Sequence, residues 1–141
     1  MKLTTKGRYA VMAMADLASY QNGKPVSLID ISLRQNISLS YLEQLFSKLK
    51  NKKIVKSVRG ASGGYVLEKN PKDIKISNII FAVDEQVKTL NCKRESKRGC
   101  NGRTTKCITH NLWDDLEQHI NKFFDNVSLN DLLKQKHIDI N

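Results

Sequence analysis

Residues 39–50, LSYLEQLFSKLK, put Leu42, Leu45, Phe46 and Leu49 at i, i+3, i+4 and i+7. That spacing makes one apolar stripe on an α-helix, and a strand, with its period of two, would scatter it over both faces. At about 100° per residue, Ser40, Glu43, Gln44 and Ser47 fall on the opposite, polar face. A turn, Asn36-Ile37-Ser38, precedes this helix, and Ser38 or Ser40 is placed to cap it. Ser27 opens a shorter helix before the turn, SLIDISLRQ, with Asp30 at the capping-carboxylate position and Leu28, Ile29 and Ile31 facing inward. Two short helices joined by a tight turn form a helix-turn-helix.

The next segment narrows the fold. Ile54–Val58 and Tyr65–Leu67 are strand-like runs, separated by Arg59-Gly-Ala-Ser-Gly-Gly64, a loop of residues that tolerate positive φ. A β-hairpin directly after the second helix makes it a winged helix. Residues 48–59 hold Lys48, Lys50, Lys52, Lys53, Lys56 and Arg59 and no acid. A solvated helix end would carry such a run too, but beside a helix-turn-helix the charges match a DNA backbone. Ser40 and Gln44 are then placed for base edges, and Arg59 at the wing tip for a narrow minor groove. Glu43 shares that face; it either completes a capping box with Ser40 or excludes DNA sites that offer its carboxylate no donor.

The flanks are helical. Residues 4–20 are expected to form a helix capped by Thr4 or Thr5 and closed by Gln21-Asn22-Gly23-Lys24-Pro25. Asn70-Pro71 ends the hairpin, and Ser77 is expected to cap a helix carrying Ile79, Ile80, Val83 and Val87. A long helix over Cys107–Val127 aligns Leu112, Trp113, Leu116, Ile120, Phe123, Phe124 and Val127. Those side chains exceed what one small domain covers, so a homodimer interface is expected there, against the simpler alternative of an internal core helix. Ser128 and Asp131 open a last short helix before a frayed tail, His137–Asn141. The expected class is mostly α with a small β-hairpin wing, a winged helix-turn-helix with a long C-terminal dimerisation helix. The divisions are a DNA-binding domain over 1–87, a ligand-bearing loop over 88–111, the dimerisation helix over 107–127 and a short helix and tail over 128–141.

Charge supports that division. The chain of 141 residues carries 24 Lys and Arg against 14 Asp and Glu. Residues 1–107 hold 21 of those cations and 8 of the acids, so the surplus sits in the DNA-binding part, and the remainder is mildly acidic. No run of about 18 apolar residues is present, which argues against a membrane span. The first twenty residues make a poor signal peptide, since TTKGR and Asp16 interrupt them, and a cytoplasmic, nucleoid-associated location is expected. Neither a Walker loop, a Ser/His/Asp ordering nor paired carboxylates suggest an enzyme.

The three cysteines lie in Cys92-x7-Cys100-x6-Cys107-x2-His110. An odd number argues against a disulfide framework, and a reducing compartment keeps thiols free. Three thiols and an imidazole close one metal site, either structural zinc or a 2Fe–2S cluster. Zinc favours two short ligand pairs and only Cys107 and His110 are close, whereas long spacers suit a larger cluster; spacing leaves both open. His119 and His137 lie off this spacing and are expected at the surface.

The stretches LTTKGRYAVMAMADLA, VSLIDISLRQNISLSYLEQLFSKL, SVRGASGGYVL, AVDEQV and CITHNLWDDL occur in an order that resembles the IscR family of bacterial iron–sulfur-cluster regulators, over residues 1 to 135. The resemblance implies a homodimeric winged helix that binds operator sites in double-stranded DNA. It implies a 2Fe–2S cluster on Cys92, Cys100, Cys107 and His110, supplied by the iron–sulfur assembly machinery. It points to Ser40, Gln44 and Arg59 for DNA contact, and to Glu43 as the residue that excludes one operator class. The cysteine spacers are slightly longer than the family's common form, and ASGG stands where PGGG is usual. Nitric-oxide-sensing relatives use a 4Fe–4S cluster and an acidic residue near the first helix start, where this chain has Arg8. An iron–sulfur electron carrier is the other class, but it needs neither a wing nor a basic face.

Overall fold

The structure, a computed structural model, describes residues 4–85 and 107–134. In chain order these form α1 (Thr5–Tyr20), α2 (Leu28–Gln35), α3 (Leu39–Asn51), β1 (Val55–Val58), β2 (Gly64–Leu67), a 3-10 turn (Pro71–Asp73), α4 (Ile76–Ala82), α5 (His110–Asn126) and α6 (Leu129–Leu133). The mostly helical winged helix-turn-helix with a long C-terminal helix is therefore present. The loop over 88–106, Val87 and the tail from His137 lie outside the described residues.

The core gathers Met14 and Leu17 of α1, Ile31 of α2, Leu42, Leu45, Phe46 and Leu49 of α3, Val55 of β1 and Ile79 of α4, all buried. The α3 stripe is thus wholly interior. Asp16 lies among these apolar residues and is buried, which is tolerable only because it is paired. Arg34 of α2 makes a two-point contact with it, Nη2 to Oδ1 at 2.7 Å and Nε to Oδ2 at 3.0 Å, and Gln35 Nε2 donates to Oδ2 at 2.9 Å. The Arg34 guanidinium also lies over the Tyr20 ring at 3.8 Å. This cluster locks α2 to the end of α1.

Several local details depart from expectation. Ile29 is exposed: neighbouring positions on a helix differ by about 100°, so burying Ile31 and Leu28 turns Ile29 outward. Thr4 stands at the α1 cap position but makes no side-chain cap bond; its N–H, at 2.6 Å, and its hydroxyl both donate to Glu85 Oε1. Ser77 is inside α4 rather than its cap, because the cap position falls two residues earlier, at Lys75, where Asn78 Oδ1 accepts from Lys75 N–H at 2.9 Å. That start is fixed from outside: Ile76 N–H donates to Val127 O at 2.9 Å and Leu129 N–H to Ile74 O at 2.8 Å.

Through those two bonds the chain after α5 returns to the winged helix. Leu129 is fully buried and Ser128 and Asp131 form the expected reciprocal cap of α6, Asp131 N–H to Ser128 Oγ at 3.2 Å and Ser128 N–H to Asp131 Oδ2 at 2.9 Å. Val127, Ser128 and Leu129 are consequently buried with the core of the winged helix, although the sequence reading set 128–141 apart as a separate tail segment. Among the described residues no helix is long and apolar enough to cross a membrane.

Candidate nucleic-acid interface and cysteine segment

The polar face of α3 is set by its cap. Ser38 Oγ accepts from Tyr41 N–H at 3.2 Å, and Asn36 at φ 55° makes the left-handed turn that ends α2. Ser38 being the cap, the Ser40–Glu43 capping box does not form. Ser40, Glu43 and Gln44 are all exposed and, with Ser47, Lys48 and Asn51, line one shallow concavity. Sequence reasoning grouped the first four on this face; the structure adds Lys48 and Asn51, which the same helical period would have included one turn further on.

The wing is an antiparallel pair in the register Val55↔Leu67, Lys56↔Val66, Ser57↔Tyr65, Val58↔Gly64. Lys56 and Arg59 are exposed, with Arg59 directly after β1 at the wing tip. A third extended segment joins the sheet: Val26 N–H donates to Tyr65 O at 3.0 Å and Tyr65 N–H to Val26 O at 2.8 Å. Gly64 sits at φ +158°, and a Cβ there would stand 2.3 Å from Val26 O. Only glycine permits that approach, so the wing is tied to the residue before the α2 cap.

Of the four candidate ligands, Cys107 and His110 are described, and Cys92 and Cys100 lie outside the described residues. Cys107 is exposed and precedes the long helix instead of opening it. His110 is the first residue of α5 and buried, and its backbone N–H donates to Cys107 O at 3.0 Å, so the two candidate ligands flank one turn. Among the described residues no group of three potential metal ligands forms. A soft thiolate and an imidazole on one turn suit iron–sulfide or zinc alike.

Along α5, Leu112, Trp113, Leu116 and Phe123 are exposed and Ile120 is half-buried, whereas Phe124 packs on the core and Val127 is buried. The apolar residues thus serve two directions: Phe124 and Val127 belong to the protomer, and the rest face away from it. Trp113 Nε1 donates to Thr109 Oγ1 at 3.1 Å, fixing the ring at the helix start. Phe124 also closes an apolar cavity of about 300 Å³ with Gly7, Arg8, Val11 and Met12 of α1 and Ile76 and Ile80 of α4. His119 is exposed on α5.

Comparison with known proteins agrees with this arrangement. The HTH-type transcriptional regulator IscR of Aliivibrio salmonicida is 51% identical over 138 residues, 98% of this chain and 80% of that protein. Its counterpart in Pectobacterium carotovorum is 49% identical, covering 98% and 82%. Among solved structures, T. potens IscR superposes with a TM-score of 0.75 at 38% identity, over 95% of this chain and 87% of that one. CymR, the global cysteine regulator of B. subtilis, gives a TM-score of 0.78 at 33% identity, over 95% and 97%. Residues 3–135 match the profile of Rrf2, described as iron-dependent transcriptional regulators. The chain therefore belongs to the Rrf2 family, and it is a DNA-binding transcriptional regulator and not an enzyme.

Proposed function

We propose that this chain acts as a cytoplasmic, nucleoid-associated homodimer whose choice of operator is switched by a 2Fe–2S cluster. Cys92, Cys100, Cys107 and His110 would hold that cluster, the assembly machinery would donate it, and the regulated genes would be those of iron–sulfur cluster assembly, repressed or activated according to the site. The observation that carries this reading is the turn Cys107–His110, which joins two candidate ligands at the head of the helix whose apolar side is left uncovered. The resident cluster would supply a redox-sensitive crosslink between the segment over 88–106 and α5.

The chain's own residues do the rest. Cys107, exposed, can ligate as a thiolate, and His110 must present an unprotonated nitrogen, so acid weakens its hold. Ser40 and Gln44 offer donors and acceptors to base edges in the major groove, and Arg59 its guanidinium to the minor groove. Glu43, exposed beside them and not engaged in a cap with Ser40, repels phosphate and tolerates only a site that offers a donor such as cytosine's amino group. Leu112, Trp113, Leu116, Ile120 and Phe123 would meet the second copy, whereas Phe124, expected among them, packs inside the protomer.

The test is the absorption spectrum of protein purified without oxygen, with iron and acid-labile sulfide counted. A brown, sulfide-containing species lost in Cys92→Ala, Cys100→Ala and Cys107→Ala is expected, and His110→Cys is expected to retain it. Zinc without sulfide would sink the cluster.

A further inference from the structure

Glu85 follows α4 and is only 7% exposed. Its Oε1 accepts both bonds from Thr4, whereas its Oε2 is buried and has no hydrogen-bond partner among the described residues. Asp16, also buried, is by contrast paired with Arg34. A buried anionic oxygen without a donor is costly, so it points to a group that supplies one. Glu85 lines a cavity of about 310 Å³ between α4 and α5, together with Glu117 and Asp125 of α5. Among the described residues none of these three acids forms a salt bridge.

The acids are spread along the cavity. The bond from Ile76 N–H to Val127 O sets the start of α4 beside the end of α5. Asp125, near that end of α5, and Glu85, past the opposite end of α4, therefore mark its two ends. Glu117 lies about 12 Å along α5 from Asp125, at 1.5 Å per residue. Ile80, Phe81 and Phe124 make the wall between them apolar. A metal ion needs oxygens converged within about 2.0–2.6 Å of one point, and among the described residues no group of three potential ligands forms. Separated carboxylates with hydrocarbon between them match instead a cation whose charges are separated by methylenes.

We propose that this cavity binds a linear aliphatic polyamine. One ammonium group donates to Glu85 Oε2, another faces Asp125, Glu117 adds attraction, and the methylenes lie on Ile80, Phe81 and Phe124. The chain as a whole carries a charge of +10, which repels a polycation everywhere except where acids gather. At about 100° per residue, Glu117 and Asp125 are centred roughly 160° around α5 from Leu112, Leu116 and Phe123. The site thus lies off the side proposed for the second copy.

The experiment is calorimetric titration of the full-length chain, without DNA, with spermidine as the probe. Glu85→Gln keeps an acceptor for Thr4 and removes the charge, and it should weaken spermidine about tenfold. Asp125→Asn and Glu117→Gln, at an exposed and a half-buried position, should each weaken it about threefold. Glu68→Gln, at an exposed acid after β2, should leave the affinity unchanged. Propylamine, with a single charge, should show no measurable binding at the spermidine concentrations used. Equal weakening by Glu68→Gln would reduce the effect to net charge and overturn the site. Displacement of spermidine by an equal concentration of magnesium chloride would make it a metal site and overturn it as well. So would an unaltered affinity in both α5 variants, or no binding to the parent. If Glu85→Gln does not fold, by circular dichroism, the two α5 variants decide.

Discussion

Helices α3 and α5 carry equally regular apolar stripes and meet opposite fates. In α3, Leu42, Phe46 and Leu49 are fully buried and Leu45 nearly so. In α5, Leu112 is 59% exposed, Trp113 41%, Leu116 39% and Phe123 45%. Periodicity determines that each segment is a helix and which side is apolar, but not what covers that side. Around α3 the covering is local, from α1, α2, the hairpin and α4. Helix α5 packs on α4 along one side, where Phe124 reaches the core, and Leu112, Trp113, Leu116 and Phe123 of its remaining stripe stay exposed, the side that the proposed second copy would cover.

The two stripes should fail differently when damaged. Phe46→Ala removes a fully buried ring from the winged-helix core and should cost about 3–5 kcal/mol in denaturant unfolding, enough to unfold much of the protein. Leu116→Asp places a charge on the outward stripe of α5. It should leave the helical signal intact and weaken self-association about a hundredfold, or about 2.8 kcal/mol, by sedimentation. A variant that remains as dimeric as the parent would move the interface off α5. On the polar side of α3 the effects are smaller and fall on DNA alone. Glu43→Ala should let cluster-free protein bind operators that otherwise require the cluster, by roughly tenfold, while sites bound by both forms change little. Arg59→Ala should weaken specific operators more than random duplex, and equal loss on both would make Arg59 a phosphate contact.

The smallest effect lies where α5 rejoins the core. Ser128 N–H and hydroxyl hold the Asp131 carboxyl below its usual value. A depressed carboxylate pKa gives stability that is present above the unfolded value, about 3.9, and fades as pH falls through the lower folded one. Asp131→Asn should therefore be slightly less stable at neutral pH and converge with the parent in acid, as followed by thermal melts.

What could be seen in the sequence follows the range of the interaction that decides it. The α3 stripe, the hairpin and the Ser128–Asp131 cap are settled by residues within about a dozen positions of each other, and they formed as expected. The start of α4 was misplaced because it is fixed by Val127 and Leu129, some fifty residues on. Thr4 was given to its own helix although its hydroxyl belongs to Glu85, 81 positions away. Asp16 left a visible clue, a carboxylate inside an apolar stretch, but nothing local names Arg34 and Gln35 as its partners. The same holds for the site: the α3 outer face and the wing tip were legible, whereas the cavity that joins Glu85 to Glu117 and Asp125 needed the fold.

The missing Cβ of Gly64 has a mechanical meaning beyond its own turn. Because it lets Val26 join the sheet beside Tyr65, the wing is braced close to its tip against the segment that launches the helix-turn-helix. Wing tip and α3 then behave as two arms of a caliper with a set opening, so on the proposed reading one protomer would span a single distance between the groove met by α3 and the groove met by the wing. Operators with a different spacing cannot be met by swinging the wing. On that reading they would be met by exchanging side chains along α3 or by re-angling one copy against the other, the two places where the proposed switch would act.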